Sequence, residues 1–148
     1  MLELALYKGP PNDLLHAVSH NLIKLRTLSK YSHAELVIDG ICWSSSARDH
    51  GVRAKVIDLN SGRWDVFRLT DDPEVKQKAL NWFLANEGRP YDYRNIVRYL
   101  LPIVGHNKKQ YVCFESCGAA LGISNPHKLT ADTLLEQALQ IGKEVTYG

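Results

Sequence analysis

Three observations predict an α+β fold, with a small antiparallel sheet packed against helices. Short β-prone runs crowd the first half of the chain, at residues 2–8, 33–38, 41–46, 51–59 and 64–70. The second half changes to helical spacing of its apolar residues. An Asp-Gly pair, Asp39-Gly40, joins two of the β-prone runs, which is a hairpin signal. Strands grouped before helices are the α+β pattern, and 148 residues fit one domain, 1–148.

Residues 2–8 alternate apolar and polar positions until the breaker Gly9-Pro10-Pro11. Asn12 or Asp13 then caps a helix whose apolar face carries Leu14, Leu15, Val18, Leu22 and Leu25. HAELVI and ICWSSS flank the Asp-Gly turn, and GVRAKVIDL and WDVFRLT follow as strands around Asn60-Ser61-Gly62. The stretch TDDPEVKQKALNWFLANEG has acidic caps, Pro73 at its first turn and Gly88 as a stop, with Val75, Ala79, Trp82 and Phe83 on its buried face. DYRNIVRYLL makes a second helix that Pro102 ends or kinks. Cys113 opens a third, in which Gly118, Ala119 and Ala120 allow close approach to a sheet and Gly122 ends it. Residues 130–141 form a fourth helix stopped by Gly142, and KEVTY a last short strand.

Composition excludes several function classes. A net charge of +2 is too small to mark a nucleic-acid partner, and the basic clusters Lys24, Arg26, Lys30 and Lys108, Lys109 are short enough to be solvated faces. No run approaches the roughly 18 apolar residues that span a bilayer. The opening MLELALYKGPP has no basic start or uninterrupted apolar stretch, so no signal peptide is expected and the predicted compartment is the cytoplasm. Three cysteines, an odd number, suit reduced thiols in that compartment.

Cys113 is the candidate nucleophile. It stands at a helix start, where the partial positive charge of the unpaired N–H groups favours a thiolate. A cysteine nucleophile also needs a base within hydrogen-bond reach and a third group to orient that base. Of six histidines, His33 opens a strand. Alternation places His33, Glu35 and Val37 on one face, suited to a polar cleft or water, and the apolar Ala34, Leu36 and Ile38 on the other, against the core. Glu35 can therefore touch and orient the His33 ring. Cys117, one helical turn after Cys113, is a packing residue. His16 and His20 lie four apart, but Ala17 stands where a zinc-protease pattern needs Glu, and two ligands rarely make a site. No metal is expected. His50 and His106 fall in a turn and a loop, and Cys113 and Cys117 have the wrong spacing for a redox pair. Tyr7, on the first strand, is a candidate to line the cleft.

Ser32-His33 before a hydrophobic strand, Tyr111-x-Cys113-x-Glu115 at a helix start, and Gly88, Pro90, Tyr91 and Asp92 in GRPYDY resemble the circularly permuted NlpC-type papain-like cysteine hydrolases, the YiiX/YebB-like group. The resemblance runs from about Leu2 to Thr133 through short motifs. It implies a permuted papain-like fold and a hydrolase of amide, ester or thioester bonds, with Cys113 as nucleophile and His33 as general base and no cofactor. An amidase or peptidase working on cell-wall-type peptides is the first expectation. Acyl transfer or thioester and lipid-ester cleavage, as in the similar lecithin:retinol acyltransferase-like group, is the second; a binding module in which Cys113 is merely buried is the third. The chain departs from the family where a His, Glu or Asn usually orients the imidazole, about a dozen residues after it. Trp43-Ser44-Ser45-Ser46 stands there instead. The orienting role is open to Glu35, Ser45 or Glu115, the last of which has a capping role available to it at the helix start.

Overall fold

The computed structural model describes residues 1–10, 29–91 and 112–147, with side chains through residue 143. The predicted helix after Asn12, the helix at DYRNIVRYLL, and His16, His20, Lys24, Arg26, Asp92, His106, Lys108, Lys109 and Tyr111 lie outside these residues. Among the described residues, five strands, β1 (Leu2–Tyr7), β2 (His33–Ile38), β3 (Ile41–Ser46), β4 (Gly51–Lys55) and β5 (Trp64–Thr70), precede three α-helices, α1 (Pro73–Asn86), α2 (Cys113–Ala120) and α3 (Ala131–Tyr147). The α+β expectation holds at this level.

The strands form one antiparallel sheet in the order β4-β3-β2-β1-β5. The β2–β3 hairpin turns at Asp39 (φ 48°) and Gly40 (φ 88°), the two positive φ angles that a type I′ turn requires. That turn pairs Ile38 with Ile41 and Leu36 with Trp43. Pairing also sets the faces. Leu2, Leu4 and Leu6 of β1, Ala34, Leu36 and Ile38 of β2, Trp43 of β3 and Val52 of β4 join Ala79 and Phe83 of α1, Cys117 of α2 and Leu134 and Ala138 of α3 in the main core. Each fully buried leucine there contributes about 1.5–3 kcal/mol relative to exposure. Phe83 stacks on Trp43 with ring centroids 5.6 Å apart.

The opposite face is not open to water along its length. Strand β4 ends at Lys55, earlier than GVRAKVIDL suggests, and the chain folds back so that Ile57 and Leu59 pack on Ala5, Val37 and Cys42. Val37, expected beside a polar cleft, is 1% exposed in this second, smaller core.

Helix α1 matches its sequence signals. Asp72 caps it by accepting from the N–H groups of Glu74 (2.7 Å) and Val75 (3.2 Å), and Pro73 begins it. Helix α2 is short and buried on nearly every side. It ends in a Schellman pair, Ile123 N–H to the Gly118 carbonyl (2.9 Å) and Gly122 N–H to that of Ala119 (3.0 Å). Gly118 makes room for Leu129, whose Cδ1 would lie 2.2 Å from an added Cβ, rather than for the sheet.

Two expectations at the C-terminus fail for one reason. Helix α3 runs through Gly142 to Tyr147, so Gly142 is no stop and KEVTY is helical. An added Cβ at Gly142 would stand 2.2 Å from the Leu69 carbonyl oxygen, so the glycine lets α3 lie against β5. Replacing Gly142 with Ala therefore opposes a helix-propensity gain of about 1 kcal/mol with a backbone clash. We expect Gly142→Ala to destabilise by about 1–3 kcal/mol in denaturant titration; an increase in stability would contradict the close packing.

Candidate active site

The site lies where the start of β2 meets the start of α2. Three ties hold the start of α2 in place. The Ser45 N–H donates to Ser116 Oγ (3.0 Å), and that hydroxyl donates to the Cys113 carbonyl (2.9 Å), pinning the first turn of α2 to β3. Glu115 accepts from the Val112 N–H (3.1 Å), a helix-capping bond. Val112 packs on Tyr91, whose N–H bonds the His50 carbonyl (3.3 Å) in the β3–β4 turn. These ties explain why a helix of eight residues holds its position.

On the sheet side, Tyr7 pairs with His33 and with Trp64 across β1. Trp64 meets the Tyr7 ring edge-on at 5.0 Å and the His33 ring at 6.2 Å. The Tyr7 hydroxyl donates to the Pro10 carbonyl (2.7 Å). The Tyr7 ring therefore packs on Trp64, which in turn meets the imidazole. Ahead of β2, the Tyr31 hydroxyl donates to Asp65 (2.7 Å) and the Ser32 N–H to the Tyr7 carbonyl (3.0 Å), which fixes the approach to His33.

Cys113, His33 and Glu35 converge. The Cys113 thiol is within hydrogen-bonding reach of the His33 ring, and His33 Nε2 lies 2.6 Å from Glu35 Oε1. Burial disfavours the imidazolium, but the charge and hydrogen bond of Cys113, and then those of Glu35, outweigh it and raise His33 to about 9. Burial likewise opposes the charge on Glu35, which is fully enclosed, yet the hydrogen bonds and charges of His33 and Arg53 pull its carboxyl below the usual range.

Arg53 is the residue that reading along the sequence misses. Its guanidinium grips both oxygens of Glu35, Nη1 to Oε2 at 2.7 Å and Nη2 to Oε1 at 2.6 Å, while Nε donates to Asp49 at 2.8 Å. The signal is present in the strand register. Pairing of β2 with β3 runs to Leu36–Trp43, Glu35 is the next residue on β2, and past Trp43 on β3 Ser44 pairs with Arg53. All three side chains share a face. Arg53 reaches across β3 to the carboxylate.

The remaining candidates fall elsewhere. Ser45 points to the helix side of the sheet, one position out of step with the Glu35–Ser44–Arg53 row, and its N–H serves the tie to Ser116. Glu115 is engaged at the cap. Burial pushes the Cys42 thiol up to about 11, with Glu35 adding to it, and pushes Cys117 well above its ordinary value. Both are kept as unreactive thiols at neutral pH. Cys113 itself is 1% exposed, whereas the His33 side chain keeps 24%. The exposed part of the pair is therefore the imidazole. Among the described residues, no group of three or more His, Cys, Asp or Glu side chains is arranged to hold a metal ion, and no helix is long and apolar enough to cross a membrane.

No protein-family model matches the chain, and no curated protein sequence matches it.

Two measurements check this geometry. Ser116→Ala removes the acceptor of the buried Ser45 N–H and should cost about 1–3 kcal/mol in chemical denaturation; an unchanged midpoint would mean the tie carries no weight. Because the folded protein binds the His33 proton more tightly than an imidazole of ordinary pKa 6.5, that contribution is complete below 6.5 and disappears as pH rises through about 9. The stability advantage of the wild type over His33→Gln should therefore shrink between pH about 6.5 and 9. A constant difference would place the imidazole's contribution in packing instead of charge.

Proposed function

We propose that this protein is a cysteine hydrolase, an amidase or peptidase on the pattern of the permuted NlpC-type papain-like enzymes, acting through a covalent acyl-enzyme. The observation that carries the reading is the His33 imidazole held between the Cys113 thiol and the Glu35 carboxylate. A base oriented by a third group and in reach of a nucleophile is the arrangement that acyl transfer to sulfur needs.

In the proposed reaction, the proton shared between Cys113 and His33 rests on His33 as the sulfur attacks, and Glu35 stabilises that imidazolium. The thiolate attacks the substrate carbonyl carbon. The carbonyl oxygen takes up the negative charge, and the Cys113 N–H, one of the helix-start groups without an intrahelical acceptor, donates to it. As the carbon–nitrogen bond breaks, the imidazolium protonates the departing amine, leaving a thioester on Cys113. His33 then draws a proton from water, hydroxide character at the water oxygen attacks the thioester, and the acid and the thiol are regenerated. Cell-wall-type peptides are the proposed substrates, following the family resemblance.

The 1% exposure of Cys113 favours one second reading, acyl transfer. A thioester shielded from bulk water survives to meet an amine or alcohol acceptor. Product analysis separates the two, since hydrolysis releases free acid and transfer gives an acceptor conjugate.

Three results are expected. Iodoacetamide followed by peptide mass spectrometry should label Cys113 faster than Cys42 or Cys117, and His33→Ala should remove that advantage while the fold persists; equal labelling of Cys113 and Cys42 would sink the assignment. Against a panel of chromogenic amides and esters, Cys113→Ala should abolish turnover, and Glu35→Gln should cost more than Ser45→Ala, with His33→Ala losing about 10²–10⁴-fold. Turnover should decline on the alkaline side as His33 loses its proton near pH 9, because the leaving group then lacks its acid.

A further inference from the structure

The charged groups behind the candidate pair alternate in sign all the way to solvent. Starting from the Cys113 sulfur, they run His33, Glu35, Arg53, Asp49 and Lys55, the last with its Nζ 3.0 Å from Asp49 Oδ1. The sharing at Glu35 is unequal. Oε1 takes bonds of 2.6 Å from both His33 and Arg53, while Oε2 takes one, of 2.7 Å, from Arg53. The same oxygen that holds the imidazole is thus held by the guanidinium.

We propose that Arg53 is a positioning residue for the Cys113–His33 pair: by gripping both oxygens of Glu35 from two strands away, it fixes where the imidazole stands and how tightly it keeps its proton. The proposal rests on the hydrolase reading for its catalytic meaning, though its effect on His33 is a property of the fold. Two consequences follow from the grip. A planar fork bonded to two carboxylate oxygens leaves Glu35 little freedom to rotate, so Oε1 stays aimed at Nε2. A positive charge this close also keeps Glu35 ionised in full burial while drawing off part of the field it exerts on His33.

The other ionisable groups facing the pair come from every neighbouring element. Strand β1 offers Tyr7, β3 Cys42, and β4 Arg53 and Lys55, while Glu3 of β1 and Arg68 of β5, bonded to Asp71, lie farther along the same face. The β3–β4 turn offers Asp49, and α2 offers Cys113 and Cys117. Of these, Arg53 is the cation in contact with the carboxylate that His33 uses. The sign of its removal is therefore fixed. With Glu35 held ionised by its bond to His33, loss of this positive charge makes Glu35 and His33 hold their protons more tightly, so both titrate at higher pH.

The test compares Arg53→Gln and Arg53→Lys with the wild type by two readouts. One is the His33 ring resonance followed by NMR against pH, assigned with His33→Gln. The other is the rate of Cys113 alkylation against pH. Arg53→Gln should move the His33 midpoint upward by about one to two pH units and lower the alkylation plateau. Arg53→Lys keeps the charge and should restore the midpoint, but its point-like ammonium cannot span both oxygens, so the alkylation plateau should fall several-fold. Asp49→Asn is the companion should Arg53→Gln fail to fold: loss of that anion should lower the His33 midpoint. Variants that are less stable yet titrate as the wild type does would overturn the proposal and leave Arg53 as structural support alone. If the wild-type Cys113 has no heightened reactivity, the hydrolase reading fails, while the NMR titration still decides the part played by Arg53.

Discussion

A carboxylate with no access to water organises this molecule. Glu35 is fully buried in the middle strand of the sheet, and enclosing an isolated carboxylate costs several kcal/mol. Three short charge-assisted bonds, one from His33 and two from Arg53, offset that cost. The offset works only if β2, β3 and β4 keep register, since a slip of one residue would carry Arg53 to the helix side of the sheet and leave Glu35 without its cation. The chemistry of the site and the pairing of three strands are therefore one constraint.

The second requirement is that a helix too short to be stable alone begins at the right place. An isolated eight-residue helix is marginal in water, and α2 persists because nearly all of it is buried and its ends are tied. The Ser45–Ser116–Cys113 relay binds its first turn to β3, and Leu129 fills the space that Gly118 leaves. The outcome is a sulfur in the main core that touches an imidazole rooted on the other face of the sheet. The two meet because His33 is the first residue of β2 and Cys113 the first of α2, each at the end of its element.

Burial also sorts the three thiols without any change of residue type. Cys42, under Ile57 and Leu59 and near Glu35, and Cys117, deep against the sheet, are both driven towards the neutral form. Cys113 differs by having a hydrogen-bonding imidazole beside it. In the hydrolase reading, that contrast assigns reactivity to one position among three chemically identical side chains.

Local physics was enough for much of the architecture. The Asp39-Gly40 turn, the capped helix from Pro73 to Asn86 and the helix start at Cys113 are legible because each depends on residues adjacent in the chain: a turn needs positive φ, a helix needs a cap, and a strand needs alternation. The pairing of His33 with Glu35 was legible for the same reason, two positions on one strand face. Arg53 was not, because its link to Glu35 passes across β3, a relation visible only once strands are paired. Gly142 misled because a glycine that ends a helix and one that lets a helix touch a strand are the same letter, distinguished by what lies opposite, here the Leu69 carbonyl. The chain's own order determined which elements form and which residues are chemically able; long-range packing decided which of them meet, because burial and strand register are set by partners far away in sequence.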